Sequence, residues 1–153
     1  MNKEQERAFC IVANHATMSQ PSPLKMYLGG MGGTGKSQVI TALIAFFEKR
    51  NEAYHIMTVA PTGSAATLLN GSTYHSVLGI RPVNKKGEVF GNEHTIIAQV
   101  KGKLDGVDYI FLDEVSIVAC HEFYKISAQL CKARNMTDIP FGGVNMIFAG
   151  DFA

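Results

Sequence analysis

Short apolar runs alternate along this chain with longer stretches whose apolar residues recur every three to four positions. Segment 25–29 is a brief apolar run closed by glycine and reads as a strand. Segment 37–50 follows with Val39, Ile40, Leu43, Ile44, Phe46 and Phe47 at helical spacing. These residues cover more than one face, so the helix they predict packs on a sheet along a wide stripe. A second strand is expected over 54–60, closed by Pro61, Thr62 and Gly63, with a short helix within 64–69. Segment 71–80 reads as loop and turn, and 81–93, polar and punctuated by glycine, as a surface insertion.

The second half repeats the alternation. A helix is expected over 94–104, and 107–112 is the near-continuous apolar run of a buried parallel strand. Segment 121–134 is amphipathic, with Phe123, Ile126, Leu130 and Cys131 on one side. An apolar strand over 144–149 leads into Gly150 and Asp151. Strands alternating with helices predict an α/β fold, a parallel sheet with helices on both faces. The 153 residues suit one domain. Because the chain stops soon after its last strand, with nothing to cap the fold there, that domain is expected to be incomplete at its C-terminus.

Composition narrows the classes. With 46% hydrophobic and 18% charged residues the chain can bury a core. A formal net charge of +1 gives no support to a strongly basic nucleic-acid clamp, so any DNA binding must come from a local site. The three cysteines, Cys10, Cys120 and Cys131, are widely spaced and form no C-x-x-C pair, which disfavours a disulfide framework. Cys120 beside His121 lacks a second ligand pair at metal spacing. Lys3, Glu4, Glu6 and Arg7 interrupt any signal peptide, and the longest mostly apolar stretch, 39–47, is about half a membrane span. A soluble chain is expected.

The strongest motif is GMGGTGKS at 30–37, which matches G-x-x-x-x-G-K-[ST] between a predicted strand and a predicted helix. Gly30, Gly32, Gly33, Thr34 and Gly35 supply a loop whose backbone N–H groups can turn inward around phosphates that side chains would obstruct. Lys36 brings positive charge to the β and γ phosphates, Ser37 a hydroxyl for Mg²⁺, and the helix N-terminus its partial positive charge. Asp113 and Glu114 end the apolar 109–112 run. Asp113 is expected to hold Mg²⁺ and Glu114 to act as general base toward the attacking water. Taken alone, two acids at a strand end are a weak signal, and a solvated turn would carry them too. Paired with the phosphate loop they are the expected second half of a P-loop NTPase site for ATP.

The residues between these motifs decide the class. Segment 60–76 resembles the motif Ia region of Pif-family (Pif/RecD-like) superfamily 1 DNA helicases. Asp113-Glu-Val-Ser116 is similar to that family's motif II, with Ile117 where methionine is frequent, and 142–152 to the run into motif III. Asn2-Lys-Glu-Gln5 resembles the Q motif. With the phosphate loop, these matches fall in the family's order across nearly the whole chain.

The resemblance implies a first RecA-like motor domain that uses ATP and Mg²⁺ to move along single-stranded DNA, 5′ to 3′, in DNA repair, recombination and telomere maintenance. It gives Gln5 the adenine edge and makes Pro61, Thr62, Gly63, Thr73 and His75 line the strand's path, with Asp151 coupling DNA to nucleotide. Each has a plainer reading: Gln5 a surface helix residue, Pro61 to Gly63 a turn and helix cap, His75 a histidine satisfied by its own loop, and Asp151 a loop cap. The family's motif III glutamine, its second RecA-like domain and its arginine fingers are expected outside this chain, since Arg7, Arg50, Arg81 and Arg134 all have ordinary surface contexts. The chain by itself is therefore expected to bind nucleotide modestly and hydrolyse it slowly or not at all. The resemblance also places the chain inside the cell, in the nucleus before the mitochondrion, as a monomer off the membrane. Two rivals are a folded remnant without enzymatic activity, such as a transposon-derived fragment, and another P-loop enzyme such as a nucleoside kinase. Segments 61–63 and 73–75 disfavour the kinase.

Overall fold

The computed structural model describes residues 1–31, 35–81 and 91–152. Among these residues five parallel strands form one sheet in the order β1-β5-β4-β2-β3: β1 is Lys25–Gly29, β2 Ile56–Ala60, β3 Ser72–Thr73, β4 Tyr109–Leu112 and β5 Asn145–Gly150. Consecutive parallel strands cannot be joined by tight hairpins, so the connections cross over the faces as helices. The crossover helices are α2 (Lys36–Lys49), α3 (Gly63–Leu68), α4 (Tyr74–Leu78), α5 (Glu93–Lys103) and α6 (Cys120–Arg134), and α1 (Lys3–Thr17) precedes β1.

The period of two along the strands divides the core. On one face Tyr109 and Phe111 of β4 and Ile147 and Ala149 of β5 pack with Ala8 and Val12 of α1 and Val39, Ile40, Leu43 and Phe47 of α2. On the other, Ile110, Leu112 and Met146 pack with Tyr74, Val77, Ile96, Val100, Ile126 and Leu130 from α4, α5 and α6. All four side chains of β4 are buried, as a central strand covered on both sides requires. The expected sheet with helices on both faces is the one observed.

Three differences from the sequence reading have local causes. The first helix, α1, is not among the elements read from the sequence; its packed face is Ala8, Phe9, Val12, Ala13 and Ala16 at helical spacing. Its signature lies at its start: Asn2 Oδ1 accepts the Gln5 amide at 2.9 Å, and Gln5 Oε1 accepts the Asn2 amide at 2.9 Å, a reciprocal capping box. Segment 71–80, expected as loop and turn, instead forms β3 and α4. Thr73 caps α4 by accepting the Ser76 amide, and Gly79, at φ +62°, ends it in the left-handed conformation that glycine adopts without steric cost. Third, β2 and β4 begin later than expected, at Ile56 and Tyr109, because Ala53–His55 forms a 3₁₀ turn and Asp108 serves as an edge partner. Of the expected 81–93 insertion, 82–90 lie outside the described residues, and Glu93 already opens α5.

Candidate nucleotide and DNA site at the carboxyl edge of the sheet

Because every strand runs the same way, the residues that follow β1, β2, β4 and β5 leave the sheet at one edge. Gly29 pairs with Gly150, Leu112 with both Val59 and Phe148, and the Asp113 amide donates to the Val59 carbonyl at 3.0 Å. The turn after β1 that carries Lys36 and the turn after β4 that carries Asp113 and Glu114 are therefore on the same rim, with β5 between their strands. Open α/β sheets bind ligands in this position.

Gly35 closes the phosphate loop at φ +83° and opens α2 as its N-cap. A Cβ there would meet the side-chain Nε2 of Gln5 at 2.1 Å, so any larger residue would push that side chain aside. Gln5, Gly30, Gly35 and Lys36 line one cavity of about 490 Å³, joined by Gln38. Lys36 Nζ donates to the carbonyls of Gly30 at 2.5 Å and Met31 at 3.0 Å, which holds the ammonium over the loop. Ser37 stands in the first turn of α2, its carbonyl accepting from Thr41 Oγ1 at 2.8 Å. Gly32, Gly33 and Thr34 lie outside the described residues.

Asp113 and Glu114 do not line that cavity. The Asp113 carboxylate accepts the Glu114 amide at 2.8 Å, and Glu114 takes a left-handed backbone at φ 51° and ψ 40°. An L-residue with a long side chain pays for that conformation, which is uncommon outside turns and special sites. Asp151 directly follows Gly150, the partner of Gly29, and so sits at the same rim.

The other predicted positions gather around β2 and β3. Ala60 pairs with Thr73, so Pro61–Gly63 and Thr73–His75 emerge side by side. Thr62 caps α3, its Oγ1 accepting the Ala65 amide at 3.3 Å and lying 3.3 Å from Ser64 Oγ. Thr62 thus acts as the helix cap of the plainer reading, and Thr73 likewise caps α4. His75 stacks on Tyr74 at 4.0 Å between ring centroids and places Nε2 3.5 Å from Glu122. Its partner comes from α6, not from its own loop.

Glu122 is a residue that the sequence reading did not single out. Its side chain is only 17% exposed, yet Tyr74 Oη donates to it at 2.9 Å and Lys125 Nζ at 3.2 Å, with His121 at 3.5 Å. Burial pushes its carboxyl up, but the Tyr74 and Lys125 hydrogen bonds and the nearby charges of Lys125 and His75 outweigh this and leave it below the ordinary value. Burial first, then the Glu122 bond, pushes the Tyr74 phenol up to about 12. No sequence signal joins Tyr74 to Glu122, which lie 48 positions apart.

A family model, PIF1-like helicase, matches residues 1–153. The chain belongs to the PIF1-like helicase family. It is 34% identical over 99% of its length to the ATP-dependent DNA helicase PIF4 of Trypanosoma brucei brucei, and 32% identical over 99% to PIF1 of the same organism. Among solved structures it resembles the Pif1 helicase from Bacteroides in complex with ADP-AlF3 and ssDNA, with TM-score 0.72 and 25% identity over 98% of this chain. The chain spans 18% and 14% of the two trypanosome proteins and 32% of the Bacteroides chain. Membership of the PIF1-like family removes the nucleoside-kinase alternative. No described helix is long and apolar enough to cross a membrane, and the described His, Cys, Asp and Glu residues form no cluster of three or more suited to a metal ion.

Proposed function

We propose that this chain is the ATP-binding part of a DNA helicase motor, holding Mg-ATP at the phosphate loop and single-stranded DNA alongside. The observation that carries the reading is the shared rim: the Lys36 turn, the Asp113 turn and the Pro61–Gly63 and Thr73–His75 segments all follow strands of one parallel sheet. The residues fit the group. A glycine-rich loop in the sequence, a lysine bonded to its Gly30 carbonyl, a serine on the first helical turn and a carboxylate on a neighbouring turn are the donor set that a magnesium–triphosphate complex needs.

In this reading Gln5 meets the base, the loop amides and Lys36 hold the phosphates, and Ser37 and Asp113 hold the metal. Magnesium, when bound with the nucleotide, supplies charge neutralisation at the phosphate oxygens. Glu114 orients the attacking water and takes its proton on a carboxylate oxygen. Thr62, Gly63, Thr73 and His75 contact the strand, and Asp151, next to β1, relays between the two ligands. Among the described residues no arginine lines the 490 Å³ cavity. Because an arginine finger is worth about 10³–10⁵ in rate in comparable enzymes, hydrolysis by this chain alone is slow. Unwinding, its 5′ to 3′ direction, service in repair, recombination and telomere maintenance, and a nuclear or mitochondrial location belong to the reading for the whole protein, with a second motor domain as partner.

The test is a fluorescent-ATP titration of the wild type against Lys36→Ala. Loss of binding in the variant supports the reading, whereas equal affinities remove the phosphate-loop assignment. A labelled oligo-dT should bind the wild type in a salt-sensitive way.

A further inference from the structure

His75 has two unlike sides. Toward α6 stands the Glu122 carboxylate, 3.5 Å away and held below its ordinary proton affinity. That side is occupied by groups already bonded to one another, Glu122 with Tyr74, Lys125 and His121, so no described cation there is left unpaired for a phosphate. Toward α5 lies a groove of about 480 Å³ lined by Thr73, His75, Ser76, Arg81, Gln99 and Lys103. No carboxylate is among the described residues lining it, and Lys103 and Arg81 bring two basic side chains.

The groove is built rather than incidental. Its walls are α4 and α5, which approach closely at Gly79, where a Cβ would stand 2.5 Å from Ile96 Cγ2. Lys103 Nζ reaches across from the end of α5 to donate to the Ser76 carbonyl at 2.8 Å. One ammonium hydrogen is thereby spent on fixing the head group, and two remain for an acceptor.

We propose that the single strand continues past His75 into this α4–α5 groove, where Lys103, with Arg81, takes a backbone phosphate. The inference rests on the DNA-binding reading of Thr73 and His75 and extends it by a subsite. It meets the requirement set by a net charge of +1: binding is local, and the cations are grouped where the path needs them. Contacts of this kind position the strand and do not read its sequence.

Anisotropy of a labelled oligo-dT, titrated with the 153-residue chain at several salt concentrations, tests it. Lys103→Gln should weaken binding and lower the slope of log affinity against log salt by about 0.7, the value for one single-strand phosphate contact. Lys103→Arg should restore both. Gln99→Lys, at an exposed position on the same groove, should tighten binding and steepen the slope by a similar amount. Gln99→Lys also keeps the test sound if Lys103→Gln disturbs α4, which circular dichroism would show. Wild-type affinity and slope in both charge variants overturn the subsite and leave the DNA reading standing. A wild-type chain that ignores oligo-dT at low salt overturns both.

Discussion

Lys36 and Glu114 show how single residues are set by the chain immediately around them. The lysine ammonium is held by two carbonyls of its own loop, Gly30 and Met31. It therefore reaches the loop mouth without help from a distant element. Glu114 is placed by its own left-handed backbone and by the bond from its amide to Asp113. If Glu114 is the base, Glu114→Gln should leave nucleotide affinity intact while lowering any measurable turnover by about 10²–10⁴-fold. Turnover equal to the wild type in a phosphate-release assay would assign the base elsewhere. The motif residues were legible because their chemistry and geometry are encoded within eight contiguous positions, 30–37, and within the pair 113–114. Glu122 was not, since its meaning depends on Tyr74 and His75 arriving from another helix.

Elements add a constraint that the motif alone does not carry. Gln5 is at once the glutamine beside Gly35 and the third position of the capping box that starts α1. Asn2→Ala removes the bond to the Gln5 amide and frees the start of the helix. The expected cost is about 1 kcal/mol in urea unfolding, together with a weaker fluorescent-ATP affinity, because the helix end that carries Gln5 frays. A stability loss with unchanged affinity would separate the cap from the nucleotide site. The capping pattern was visible at Asn2 and Gln5, and so was the apolar spacing of Ala8, Val12 and Ala16, yet no helix was read from them. For α4, Thr73, Ser76 and Gly79 give cap and stop signals, while five helical residues are too few to show a period.

At the scale of the molecule, the two faces of the sheet each contain a tyrosine whose neutral form the fold prefers. Tyr74 lies in the α4–α6 layer and Tyr109 in the α1–α2 layer, and burial pushes both phenols up to about 12, with Glu122 adding to the effect at Tyr74 and Asp108 at Tyr109. A phenol with a raised folded pKa contributes stability below its unfolded value near 10, and that contribution is lost as pH rises toward 12. Melting temperature should fall steeply between pH 10 and 12. Tyr74→Phe with Tyr109→Phe should flatten that limb, and a wild-type slope in the double variant would refute the assignment.

The sequence by itself determined the alternation of strands and helices, the phosphate loop, the acid pair and the family, because each is written in neighbouring residues. Tertiary structure alone decided that β5 lies between β1 and β4, that Gln5 and Lys36 share a cavity, and that His75 faces a carboxylate on one side and cations on the other. Those arrangements join positions as far apart as Leu24 and Asn145, 121 residues distant, whose 2.7 Å bond exists only once the sheet has formed. Strand order and side-chain encounters of that range are settled by which apolar faces can be buried together, and no local pattern records them.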